Sequence, residues 1–218
     1  MDSAIMYAFD IFGTCIFAIT GAVRGVRHKL DFLGVVVFAC TVGVGGGVFR
    51  DLLLGATPVA AYEHESYLIV CIVTGIAVFF LAPQVVGRWR IVAIGDAIGL
   101  GVFTALGASK GLLYGAGPVG IVLSGVFSAV VGGVVRDVMV REVPAVLTTD
   151  FYATASLIGG VLYLGLSETS LPFLFQVLVC ASAVTTIRLL AMKFRIHLPV
   201  AKSWSALTED MDDGKKKR

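Results

Sequence analysis

One stretch of this chain is repeated 86 residues further on, and each copy holds three apolar runs, an odd number that decides how the copies lie in a membrane. Gly46-Gly47-Val48-Phe49-Arg50-Asp51 returns as Gly132-Gly133-Val134-Val135-Arg136-Asp137. Residues 10 to 60 laid on 96 to 146 without gaps agree at 15 of 51 positions, among them Asp10/Asp96, Gly13/Gly99, Phe17/Phe103, Gly21/Gly107, Gly25/Gly111, Gly34/Gly120 and Pro58/Pro144. Agreement at one fixed offset marks a duplicated unit, and periodicity of this kind is read before any local pattern.

The runs themselves are membrane-like. With 57% hydrophobic and 15% charged residues, and 26 glycines in 218, the chain is far more apolar than soluble domains, which carry roughly 25% charge. Seven runs approach the ~20 residues that cross a hydrocarbon core: about 4–23, 32–54, 66–82, 91–109, 118–140, 150–166 and 172–191. The expected fold is an all-α polytopic membrane protein. Repeat 1 covers about 4–82, repeat 2 about 90–166, and a seventh helix about 172–191, which makes 1–192 the transmembrane domain and 193–218 a polar tail. The first run follows Asp2 with no basic n-region, and is expected to be a retained helix and not a signal peptide.

Three spans joined directly to their copy return from the opposite side, so the halves are inverted about an axis in the membrane plane. Residues 83–90 are too few for the extra helix a parallel plan requires. Seven spans put the termini on opposite sides. Of the 17 Lys and Arg residues, Arg50 and Lys110 fall on one side and the rest on the other, so the N-terminus is expected outside and the C-terminus in the cytoplasm. The closing Lys215-Lys216-Lys217-Arg218 is a solvated end or a contact for anionic lipid.

The second and fifth runs carry the chemistry. Gly45, Gly46 and Gly47 in one, and Gly132 and Gly133 in the other, stand at matching depth. Adjacent glycines cost roughly 1 kcal/mol each in a helix interior and admit unwound backbone. Such backbone in a bilayer needs protein or a water-filled path around it, so the reading is a pair of kinked helices on a polar pathway, with close helix packing as the alternative. Arg50-Asp51 and Arg136-Asp137 follow three residues on, and Asp10 and Asp96 open the first helix of each repeat. Charges in a membrane face the bundle interior. Two ion pairs are therefore expected, Asp10–Arg50 and Asp96–Arg136, one at each mouth, acting as gates or as structural pins. Arg24 and Lys110 are repeat-equivalent and either line vestibules or anchor at the interface.

Other features point away from enzymes. Glu63-His64-Glu65 reads as a solvated turn and not a metal site, and Cys15, Cys40, Cys71 and Cys180 lie in apolar runs without ligand spacing. No nucleophile, base and orienter set is present in the sequence, and neither catalysis, a cofactor, nor a nucleic-acid partner is expected.

The two glycine-arginine-aspartate motifs, set in tandem three-helix units over about residues 4–191, resemble the prokaryotic branch of the trimeric intracellular cation channels, also catalogued as a glycine transporter or uncharacterised membrane-protein family. The resemblance implies a homotrimer in the cell membrane, with a pore inside each protomer that passes monovalent cations such as potassium or sodium. It assigns the kinks to Gly45, Gly46, Gly47, Gly132 and Gly133 and pore-side charges to Arg50, Asp51, Arg136 and Asp137. Animal members carry a lysine-containing motif where this chain has Arg50-Asp51, so their lipid regulation is not carried over. A secondary transporter of a small amino acid such as glycine is the alternative, since inverted repeats serve carriers too.

Overall fold

The computed structural model describes residues 2–82, 89–148, 151–194 and 196, and those residues are helical with short connections. In chain order the helices are α1 (Asp2–Arg27), α2 (Phe32–Leu53), α3 (Ala60–Glu63), α4 (Ser66–Phe80), α5 (Trp89–Leu113), α6 (Pro118–Met139), α7 (Ala145–Thr148), α8 (Ala153–Ser167) and α9 (Phe173–Phe194). Five of them, α1, α2, α5, α6 and α9, are long and apolar enough to cross a membrane. The runs at 66–82 and 150–166 give α4 and α8, 15 residues each and therefore about 22 Å long. The polar tail expected from 193 lies outside the described residues except for Lys193, Phe194 and Ile196.

Local chemistry sets several ends. The Asp31 carboxylate caps α2 by accepting from the Gly34 amide at 2.7 Å. Pro118 opens α6, where its missing N–H is no loss. Between α5 and α6 the chain turns at Gly115, whose φ of 71° suits a residue without a side chain.

Packing repeats as the sequence does. α1, α2 and α4 pack on one another, α5, α6 and α8 do the same, and the two trios meet through α1 against α5 and α2 against α6. Phe17 and Phe103 stack at the α1–α5 seam with ring centroids 5.1 Å apart. Each ring lies over the other helix's glycine: a Cβ on Gly13 would stand 3.1 Å from the Phe103 ring, and one on Gly99 would collide with Phe17. Gly99→Ala should therefore cost on the order of 1–3 kcal/mol by overpacking. Pairing it with Phe17→Leu should return most of the lost thermal stability in detergent, and no recovery would mean the seam is not where the strain falls.

α9 stands outside this two-fold pattern. It packs on α5 and α8, and α5 is in consequence the innermost helix, with 78% of its most apolar window buried against 39% for α1.

Candidate functional site

Where α2 crosses α6, the glycine clusters do the work of close approach. Gly46 faces the Ser128 carbonyl so tightly that a Cβ would overlap it, and a Cβ on Gly132 would stand 2.9 Å from the Val42 carbonyl. Val42 and Ser128 are themselves 86 residues apart, so each helix seats its glycine on the other's equivalent turn. A Cβ on Gly45 would lie 3.8 Å from Gly132 Cα, its nearest neighbour. Both helices remain α-helical through these residues. The expectation of unwound turns with freed carbonyls is corrected here: small residues let two intact backbones touch, as at membrane helix crossings generally.

Gly47 and Gly133 have another use. An added Cβ at either would stand 3.7 Å from the guanidinium three residues on, Arg50 or Arg136. Helical side chains lean toward the N-terminus, so each arginine folds back along its own helix into the space its glycine leaves.

Around Arg50 a first polar cluster forms, nearly closed to solvent. Its Nη2 donates to Asp10 Oδ2 at 3.3 Å and its Nε to Asp51 Oδ1 at 2.8 Å. Asp51 Oδ1 also accepts from Lys110 Nζ at 2.7 Å, while Oδ2 accepts from the Ala60 amide at 3.0 Å. Tyr67 Oη donates to Asp10 Oδ2 at 3.1 Å. Arg50 and Asp51 are 2% and 1% exposed, values tolerable for charges only because every one has an opposite partner. The cavity among these residues measures about 10 Å³, room for about one water.

Arg136 carries the second cluster. Nη1 donates to Asp96 Oδ1 at 2.7 Å and to Thr20 Oγ1 at 3.5 Å, Nε donates to Asp137 Oδ1 at 3.0 Å, and Asp137 Oδ2 accepts from the Ala145 amide at 2.9 Å. Arg24 is 3.9 Å from Asp137 Oδ1 and hydrogen-bonds Glu142, whose other oxygen lies 3.1 Å from His28 Nε2. Arg188 of α9 lies over the Tyr152 ring, 5.0 Å from its centroid. A cavity of about 460 Å³ opens among Arg24, Asp96, Arg136, Asp137, Glu142 and Arg188.

Both ion pairs expected from the repeat are thus present. Arg24 and Lys110 join the clusters instead of reaching for an interface, each crossing to the other repeat. That exchange fixes relative direction. Asp10 and Arg24 are 14 residues apart on α1, about 21 Å, and α1 meets the first cluster at its beginning and the second near its end. α5 does the reverse, with Asp96 in the second cluster and Lys110 in the first, so α1 and α5 run antiparallel.

Several participants escape a reading at constant offset. Gly75 packs on Val36 and Gly160 on Val122, which puts α4 and α8 in register at 85 residues and not 86. Tyr67 and Tyr152 then correspond, and one gap after Pro58/Pro144 would have revealed them. Glu142 and Arg188 have no counterpart to find. His64 packs edge-on to Tyr7, with ring centroids 5.5 Å apart, and among the described residues no group of three His, Cys, Asp or Glu is placed to hold a metal.

Comparison with known proteins agrees with this geometry. The family model described as Glycine transporter matches twice, over residues 7–83 and 93–168. A UPF0126 membrane protein of Vibrio cholerae is 36% identical over 201 residues, covering 91% of this chain and 84% of its own. The UPF0126 inner membrane protein YadS of Escherichia coli K12 is 35% identical over 198 residues, covering 89% and 95%. Among solved structures, the trimeric intracellular cation channel orthologue from Rhodobacter sphaeroides superposes with a TM-score of 0.84 at 34% identity, covering 88% of this chain and 99% of that one. A prokaryotic channel of the same kind, solved in 0.5 M KCl, gives 0.83 at 32% identity, with 90% and 100% covered.

Proposed function

Because this chain belongs to the UPF0126 family of multi-pass membrane proteins, whose solved relatives are trimeric intracellular cation channels, we propose that it is a monovalent cation channel with its pore inside the protomer. The path runs along the α2–α6 crossing, from the Arg136 cavity past the glycines to the Arg50 cluster. One observation carries this reading: the buried charge clusters stand at the two ends of one glycine-lined crossing and nowhere else along it. A helix pair meant only for packing has no use for four ionised side chains beneath one end and five beneath the other.

The glycines suit such a route. Gly45 and Gly47, which the crossing leaves unobstructed, keep the path free of side chains, and a channel needs only weak sites that a cation leaves as readily as it enters. Potassium and sodium fit sites of that kind. Seven membrane passages in two inverted three-helix repeats plus α9, with the axes of α2 and α6 bending at the glycines, complete the proposed plan. The Lys and Arg distribution favours a C-terminus and an Arg136 cavity on the cytoplasmic side of a cell membrane, and the trimeric relatives supply the pattern for a homotrimer.

Purified protein in a planar bilayer should give unitary currents under a potassium gradient. Silence there, together with uptake of labelled glycine into liposomes, would replace the channel with a carrier. In the same recording Arg136→Gln should alter open probability or conductance, because Asp96 and Asp137 would then face the cavity with their buried cation gone. A variant that expresses well and conducts as the parent does would reduce the second cluster to a structural pin.

A further inference from the structure

Repeat 1 holds a pair of facing thiols for which repeat 2 has no equivalent. α2 and α4 are seated on each other through Gly75, where a Cβ would stand 3.1 Å from Val36 Cα and 3.1 Å from Ala39 Cβ. Gly43 faces Cys71 in the same way, so later residues of one helix meet earlier residues of the other and the two run antiparallel. One helical turn from the Val36–Gly75 seat, this register sets Cys40 opposite Cys71. The two thiols share a hydrogen bond. α6 and α8 make the same seat with Val122 on Gly160, and at the next turn they carry Val126 and Ser156.

The other cysteines are engaged elsewhere. Cys180 donates to the Gly159 carbonyl at 3.2 Å, and Cys15 lies 3.7 Å from the Thr74 hydroxyl. Cys40 is partly exposed while Cys71 is buried, and the exposed residues beside the pair, Val37, Ile72 and Val73, are apolar. In a membrane that face meets lipid. We propose that Cys40 and Cys71 are a reversible oxidation site, at which a peroxide that partitions into lipid converts the two thiols to a disulfide tying α2 to α4. A disulfide needs Cα atoms about 4.4–6.8 Å apart, and helices that meet at Gly75 with no side chain between them come that near. Cys40, the reachable thiol, reacts first. Its sulfur attacks one oxygen of the peroxide, the O–O bond breaks, the thiol proton leaves with the departing alcohol, and a sulfenic acid remains. The Cys71 sulfur then attacks that sulfur, and its proton joins the expelled hydroxyl as water. Two electrons have passed from the thiols to the peroxide, which ends as one alcohol and one water.

The full chain in proteoliposomes is treated with cumene hydroperoxide, an apolar peroxide, then denatured, and its remaining thiols are counted by maleimide addition and intact mass. The parent should lose two of its four reactive thiols and about 2 Da. It should also yield a cross-linked peptide joining α2 to α4, and a phosphine reductant should return both thiols. Cys71→Ser should stop at the sulfenic acid and raise dimedone capture at Cys40 several-fold, whereas Cys15→Ser and Cys180→Ser should cross-link as the parent does. Four intact thiols after peroxide overturn the proposal, and so does a parent in which Cys40 is carried on to the sulfinic acid in place of bridging. The parent measurement needs no substitution, so a variant that fails to fold leaves its outcome decisive. It reads covalent chemistry at one helix pair, and silence in the bilayer recording would leave the result standing.

Discussion

Gly46→Ala should be among the most damaging single-methyl substitutions in this protein, lowering the thermal midpoint of the detergent-solubilised chain and abolishing transport. The new Cβ would overlap the Ser128 carbonyl, and a carbonyl in a helix has no rotamer by which to retreat. Relief requires α2 and α6 to part along their whole crossing. Overpacking of a side chain costs about 1–3 kcal/mol, and backbone against backbone lies at or above the top of that range. Gly45→Ala is the matched control, since its Cβ would meet Gly132 Cα at ordinary contact distance, 3.8 Å. The position next to a lethal one should therefore be tolerated. A thermal-shift measurement on the pair decides the matter. If both variants melt alike, the glycines act through backbone conformation and not through contact.

Arg50→Ala should rival it by another route. The substitution leaves Asp10 with Tyr67 alone and leaves Asp51 with Lys110 and one amide, beneath a surface that exposes them by only 7% and 1%. Removing one member of a buried ion pair costs about 3–5 kcal/mol, chiefly because the survivor is stranded without water. Asp10→Asn added to Arg50→Ala should regain a good part of that loss by removing a stranded charge. Lys110→Ala should cost less, because Asp51 keeps Arg50 and the Ala60 amide when the ammonium is gone. That ranking, R50A below R50A/D10N and both below K110A in thermal midpoint, reads directly from unfolding curves. An Arg50→Ala protein as stable as the parent would show that the cluster is more hydrated than its burial indicates.

Helices and ion pairs were legible in the sequence for one reason. A membrane admits few backbone solutions, so apolar length gave the helices, five of them long enough to span, and a charge repeated at matching depth had to find its equally repeated partner. Asp10 with Arg50 and Asp96 with Arg136 follow from that alone. The glycines were open to two readings because unwinding and close crossing ask for the same residue. What separates them is the atom opposite, Ser128 O or Val42 O, which lies about 86 residues away in the chain and is invisible to any local window. Tyr152 was hidden by a shift of a single residue after Pro144. Glu142 and Arg188 were hidden more deeply, since a search for what two copies share passes over what only one possesses. In this protein the asymmetry of the site resides in those unshared residues.

A body built on a two-fold axis shows each outward patch twice, and a surface that is self-adhesive and present twice can string molecules into open chains. α9 removes that option on one side. It lies against α5 and leaves the corresponding flank of α1, with Phe12 half exposed, uncovered. Each protomer is thus left with one flank of that type uncovered by the described residues, so molecules cannot string together through both copies of it.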